Sequence, residues 1–88
     1  MASQEVLQAF VLAASEGSFS AAARKLGKSQ STISAAVASL EIDLNLVLFD
    51  RSSRKPRLTP AGHVLLQRAE DILAATSRLH ISAGQLAQ

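Results

Sequence analysis

The sequence predicts a mainly α-helical fold: a small helical domain with a short β-hairpin, continued by one long C-terminal helix. Three observations carry this. Apolar residues recur at helical spacing in segments separated by Gly17, by Gly27-Lys28 and by the stretch from Asn45 to Thr59. The composition is 48% hydrophobic but only 3% aromatic, and it is dominated by Ala and Leu, which suit close-packed helices. The run Leu46-Val47-Leu48-Phe49 and the later Arg57-Leu58-Thr59 flank a polar, charged loop, as two short strands would.

Ser3 is placed to cap a first helix, with Glu5 in its first turn, where the helix dipole favours negative charge. Val6, Leu7, Phe10, Val11 and Ala14 form its apolar stripe, and Gly17 is its stop. Ser18 is the next cap. The second helix carries Phe19, Ala22, Ala23 and Leu26 on one side, and its alanines allow another helix to approach closely. Gly27 ends it in the left-handed conformation that Gly adopts cheaply.

Ser29 then caps a third helix. Ile33, Ala36, Val37, Leu40 and Leu44 fall within a narrow arc, the expected core face. Ser31, Ser34, Ala35, Ala38 and the apolar Ile42 fall on the far side. Asn45 is a left-handed stop, and Leu46 to Phe49 suit a buried turn and a short strand. The loop of the hairpin has a basic tip but no Gly-rich turn chemistry. Thr59 and Pro60 open the last helix as cap and first-turn proline. Along it Leu65, Ala69, Ile72, Thr76, Leu79, Ala83 and Leu86 alternate by four and three, a heptad seam of about three repeats. Leu66 and Leu73 lie beside the seam. A helix of roughly 25 residues and about 38 Å is expected.

Several function classes fall away. No cysteine is present, which excludes disulfides, zinc fingers and thiol nucleophiles and agrees with a cytoplasmic location. His63 and His80 are too far apart on one helix to share a metal, so neither a metal site nor a cofactor is expected. Glu70 and Asp71 diverge, no nucleophile elbow occurs, and no Gly-rich phosphate loop exists, so an enzyme is not expected. The start Met-Ala-Ser-Gln-Glu is no signal peptide, and no apolar run could cross a bilayer. Net charge is only +2, but seven of the nine basic residues lie between Arg24 and Arg57. Four of them, Arg51, Arg54, Lys55 and Arg57, occupy seven acid-free positions. A local basic cluster of this kind points to a polyanion.

Phe19 to Leu26, the corner Gly27-Lys28-Ser29 and the helix from Gln30 onward meet the requirements of a helix-turn-helix. An ordinary helical hairpin fits the same spacing. Two features favour the first reading. The outward face of the third helix carries Ser, Thr, Ala and Gln where a merely solvated face would carry Glu and Lys, and the basic loop stands where a wing would flank a groove.

The sequence resembles the N-terminal DNA-binding region of LysR-type transcriptional regulators. The matching residues are Phe10 in the first helix, Gly-Ser-Phe-Ser-x-Ala-Ala-x-x-Leu from Gly17 to Leu26, and Ser29-Gln30-Ser31-x-Ile33-Ser34. Leu40-Glu41, Leu48-Phe49-x-Arg51 and Leu58-Thr59-x-Ala61-Gly62 complete the pattern. The resemblance implies a winged helix-turn-helix over residues 1–59 and a linker, or dimerisation, helix over 60–88. It further implies a bacterial transcription regulator that forms a homodimer on partly palindromic promoter sites, with a tetramer open to a longer protein. Family members usually carry an effector domain of a few hundred residues, which these 88 do not include; the expectation is the DNA-binding part alone. Two departures stand out. Asn45 replaces the usual Gly, and Ala35 replaces a basic residue that is often found there.

Roles follow. Base readout is expected from Gln30, Ser31, Thr32 and Ser34 by hydrogen bonding, and from Ala35 and Ala38 by packing on thymine methyls. Phosphate contact is expected from Lys28, Arg51, Arg54, Lys55 and Arg57, and from Ser18, Ser20 and Ser29 through hydroxyls or helix N-terminal amides. The resemblance favours Arg51 and Arg54 as backbone or minor-groove contacts. Dimerisation is expected through Leu65, Ala69, Ile72, Thr76 and Leu79. The rival reading is a coiled-coil protein–protein interaction module that uses the same seam and keeps the wing as a solubilising loop.

Overall fold

The computed structural model describes residues 3–88; Met1 and Ala2, part of the stretch read above as no signal peptide, lie outside it. Four helices and one hairpin follow in order: α1 (Gln4–Glu16), α2 (Phe19–Leu26), α3 (Gln30–Leu44), β1 (Phe49–Asp50), β2 (Arg57–Leu58) and α4 (Pro60–Leu86). This is a winged helix-turn-helix with a long final helix. No described helix is long and apolar enough to cross a membrane.

The caps are those that the residue types dictate. Ser3, Ser18, Ser29 and Thr59 accept hydrogen bonds from the N–H groups of Val6, Ala21, Thr32 and Gly62 at 2.9–3.2 Å. Each satisfies a donor that the first helical turn leaves open. Gly27, at φ 65°, turns the chain between α2 and α3, and the Lys28 N–H reaches back to the Ala23 carbonyl at 2.9 Å. Asn45, at φ 54°, ends α3 in the same way, with the Leu46 N–H on the Glu41 carbonyl at 3.1 Å. Both ends therefore satisfy a late carbonyl while reversing the chain.

The core lies between α1, α2, α3 and β1. Phe10, Ile33, Val37, Leu40, Leu48 and Phe49 are buried, with Ala9, Ala13, Ala22 and Ala23 filling the close approaches. The α1 stripe sits slightly rotated from expectation: Ala9 and Ala13 are fully covered, whereas Val11 and Ala14 are half-buried. Phe49 meets Phe10 and Phe19 edge-on, with ring centroids 5.7 and 5.5 Å apart. The three aromatic residues thus tie α1, α2 and β1 together.

Two core expectations need correction. Leu44 is 42% exposed, because it edges an open groove beside α4 that Leu7, Phe10 and Leu65 also line. Leu46 and Val47 are also exposed, so the buried run is only Leu48 and Phe49. Closing the end of α3 places Leu46 in the turn, and only after it does the chain re-enter the core.

The hairpin pairs Phe49 with Leu58 and Asp50 with Arg57. Side chains supply the turn chemistry that glycine does not. Asp50 accepts from the Ser52 N–H at 2.9 Å, and the Ser53 hydroxyl donates to the Lys55 carbonyl at 3.0 Å. Thr59 closes the base of the wing. Its N–H donates to Leu48 and its hydroxyl to Val47, at 2.9 and 2.6 Å.

Gly62 lets the first turn of α4 lie against this closure. A Cβ there would overlap the Leu48 carbonyl oxygen and press on Leu58. Gly84 in the same helix has open space around it. Gly62→Ala is therefore expected to lower stability by about 1–3 kcal/mol through overpacking. Gly84→Ala should leave it unchanged or raise it by up to about 1 kcal/mol, the helix-propensity gain. Thermal unfolding of the two variants checks this; a melting temperature raised by both would remove the close approach from the account.

Candidate nucleic-acid interface

The first turn of α3 projects from the domain. Gln30, Ser31, Thr32 and Ala35 are exposed there, and Ser34 and Ala38 are half-buried. Their exposure follows from the core arc, since burying Ile33, Val37 and Leu40 turns the opposite face outward. The Ser29 hydroxyl lies 3.1 Å from that of Ser31 and 2.8 Å from that of Thr32. This presents three linked hydroxyls at the positive end of the helix dipole.

Between this turn, the start of α2 and the wing lies a concavity of about 450 Å³. It brings together Ser18, Ser20, Gln30, Ser34, Arg51, Arg54 and Lys55, and its lining contains no carboxylate. Arg54 and Lys55 are exposed at the wing tip. The remaining expected contacts lie outside it. Lys28 and Thr32 line a separate groove on the α1 side of α3, and Ala38 lies further along α3 with Ile42, Leu46 and Val47. Ser29, Ser31 and Ala35 are exposed outside the concavity. Arg57 is exposed on β2, opposite Asp50. The bond from the Ser52 N–H to Asp50, then the Ser52 hydroxyl and the Arg57 charge, hold the Asp50 carboxyl below its ordinary value of 3.8. Asp50 is thus an anion at neutral pH and offsets part of the Arg57 charge.

Arg51 is not a free cation. Its Nη2 lies 3.6 Å from Glu41 Oε1, and its guanidinium carbon sits 4.8 Å from the centroid of the Phe19 ring. The other carboxylate oxygen of Glu41 accepts from the N–H groups of Leu48 and Phe49 at 2.8 and 3.4 Å. Sequence reasoning missed this use of Glu41. The available signal was an acid seven residues before Leu48, on the far side of a left-handed chain reversal at Asn45.

The seam on α4 divides in two. Ala69 is buried and Leu65 half-buried against the protein's own domain, as are the flanking Leu66 and Leu73. Ile72, Leu79 and Leu86 are exposed, and Thr76 is half-buried. An apolar groove of about 370 Å³ runs along Leu7, Phe10, Leu40, Leu44, Leu65, Ala69 and Ile72, edged by Arg68.

Comparison with known proteins accords with this geometry. Residues 5–63 match the family described as bacterial regulatory helix-turn-helix protein, lysR family. Among curated relatives, the HTH-type transcriptional regulator AceR of Acinetobacter baumannii is 50% identical over 70 residues, covering 80% of this chain and 24% of that protein. A probable RuBisCO transcriptional regulator of Cyanophora paradoxa is 46% identical over 72 residues, covering 82% and 22%. The chain thus spans about a quarter of the length of these relatives. Among solved structures, a BenM_DBD/catB site 1 DNA complex superposes with a TM-score of 0.93 at 31% identity, covering 98% of this chain and 96% of that one. A CbnR_DBD-DNA complex superposes with a TM-score of 0.90 at 36% identity, covering 98% and 99%.

Proposed function

The chain belongs to the LysR family of bacterial regulatory helix-turn-helix proteins, and from that premise we propose that it binds double-stranded DNA as a homodimer and regulates transcription at partly palindromic promoter sites. The observation that carries this reading is the carboxylate-free concavity, which joins the first turn of α3 to the cationic wing. Its two halves suit two kinds of contact. The wing offers charge to phosphates, and α3 offers short polar and methyl groups to base edges.

In the first layer Arg54, Lys55, Arg57 and Lys28 neutralise phosphates, each adding about 0.9 to the slope of log affinity against log salt. Arg51 joins them once released from Glu41. The hydroxyls of Ser18, Ser20 and Ser29 add phosphate bonds at helix starts. In the second layer Gln30 pairs with an adenine edge, Ser31, Thr32 and Ser34 bond base edges, and Ala35 and Ala38 pack on thymine methyls. Residues 1–59 form the reading unit. The helix over 60–88 pairs two copies, with Ile72 and Leu79 facing the partner and Leu65, Ala69 and Thr76 bracing the seam.

No Arg or Lys stands on the outward face of α3, so the commonest guanine contact is missing. The half-site is therefore expected to lean to A and T. Gln30→Ala should relax specificity at one position, at a cost of about 1–3 kcal/mol. Competition against single-base operator variants measures this, and a uniform loss across all sequences would move Gln30 to the backbone class. Gel shift across a salt series tests the reading as a whole. A linear fall of log affinity with log salt is expected. No shift, or a flat response, would favour a protein–protein interaction module built on the same seam.

A further inference from the structure

The described residues contain two ion pairs. Lys25–Glu16, at 3.2 Å, joins α2 to α1 on the surface, and Arg51–Glu41 lies at the root of the wing. The second is built differently from a surface pair. The Glu41 side chain is only 18% exposed, and its two oxygens do separate work: one receives the Leu48 and Phe49 N–H groups, the other faces Arg51. Arg51 is 43% exposed and lies over the Phe19 ring, whose negative face suits a cation. Phe19 in turn stands edge-on to Phe49. α3, β1 and the start of α2 are therefore joined through the Glu41–Arg51 pair, and Arg51 lines the concavity from that point.

We propose that Glu41 is a positioning residue of the DNA-facing concavity: it docks the root of the wing on α3 and holds Arg51 over Phe19, partly neutralised, until a DNA phosphate takes the carboxylate's place. This rests on the DNA-binding reading above. A phosphate reached by Arg51 replaces an anion already present, so that contact yields less than the full electrostatic gain of a free cation. Arg54 has no ion pair among the described residues and gives the full gain. Glu41 thereby weakens attraction to arbitrary DNA while keeping the wing in register with α3.

The test is the salt dependence of binding to a mixed-sequence duplex, read by fluorescence anisotropy over a KCl series. The proteins are the unaltered chain, Glu41→Gln, Arg51→Met, the double variant, and Arg54→Met. Glutamine keeps an acceptor for the Leu48 N–H but drops the charge. Glu41→Gln is expected to steepen the slope by up to about 0.9 per protomer, or about 3.5-fold in affinity over a fourfold salt range. It should have no such effect where Arg51 is Met, and Arg51→Met alone should flatten the slope clearly less than Arg54→Met. An equal effect of Glu41→Gln with and without Arg51 would reduce Glu41 to bulk charge and overturn the inference. So would equal flattening by the two Met variants, a comparison that stands even if Glu41→Gln does not fold. A flat salt response of the unaltered chain overturns the DNA-binding reading, and the inference with it. A sloped response that Glu41→Gln leaves unchanged overturns the inference alone.

Discussion

Replacing Ile72 and Leu79 together with glutamate is expected to yield a monomer that binds its operator about 10²–10⁴-fold more weakly. Ile72, Leu79 and Leu86 recur at intervals of seven on an uninterrupted helix, and all three are exposed in the single chain. Such a stripe suits the seam of the proposed two-helix contact. Two linked reading heads gain affinity because the second binds at high effective concentration, and that gain is what the monomer loses. The substitutions spare the residues that hold α4 on its own domain. Leu65, Leu66, Ala69 and Leu73 make that contact, so the helical content should persist. Sedimentation reads the oligomeric state directly. Unchanged sedimentation would refute the seam and leave α4 as a lever within a chain 51 Å in its longest dimension.

Phe49→Ala is expected to cost about 3–5 kcal/mol, the range for emptying a buried aromatic site. In a domain of this size such a loss lowers the melting temperature by about 12–40 °C. Phe49 is 2% exposed and is the ring that both Phe10 and Phe19 contact. Its loss removes two edge-to-face pairs worth about 0.5–1.5 kcal/mol each beyond area burial. It also removes the ring contacts of β1 with α1 and α2, so the root of the wing is held only by the Glu41 and Thr59 hydrogen bonds and the strand pairing. Urea unfolding measures the cost, and a loss below about 1 kcal/mol would mean that the aromatic cluster does not anchor the wing.

What was legible in the sequence was local. Ser3, Ser18, Ser29 and Thr59 cap helices because each precedes an apolar period. Gly27 and Asn45 stop helices because few other residues tolerate positive φ. The hairpin was legible from the apolar run ending at Phe49 and the return at Arg57-Leu58-Thr59, even though Asp50 and Ser53 rather than glycine shape its turn. What was misread depended on where the chain goes after a reversal. Leu44, Leu46 and Val47 look like core by hydropathy, yet Leu44 edges an open groove beside α4, and the left-handed turn at Asn45 leaves Leu46 and Val47 in solvent. The candidate interface shows the same division. The outward face of α3 follows from the position of its core face, whereas the pairing of Arg51 with Glu41 needs ten residues of turn and strand to bring them within 3.6 Å. Charge counting groups Arg51 with the free cations of the wing, whereas the fold gives it a partner.

In the proposed complex two copies of the α3 turn and wing read one DNA site. Selection of binding sites from random duplex DNA with the dimeric protein tests it most directly. The expected result is two inverted, A·T-leaning half-sites, spaced by about one helical turn or a multiple of it. No enriched sequence, a lone half-site, or G·C-rich half-sites would contradict it.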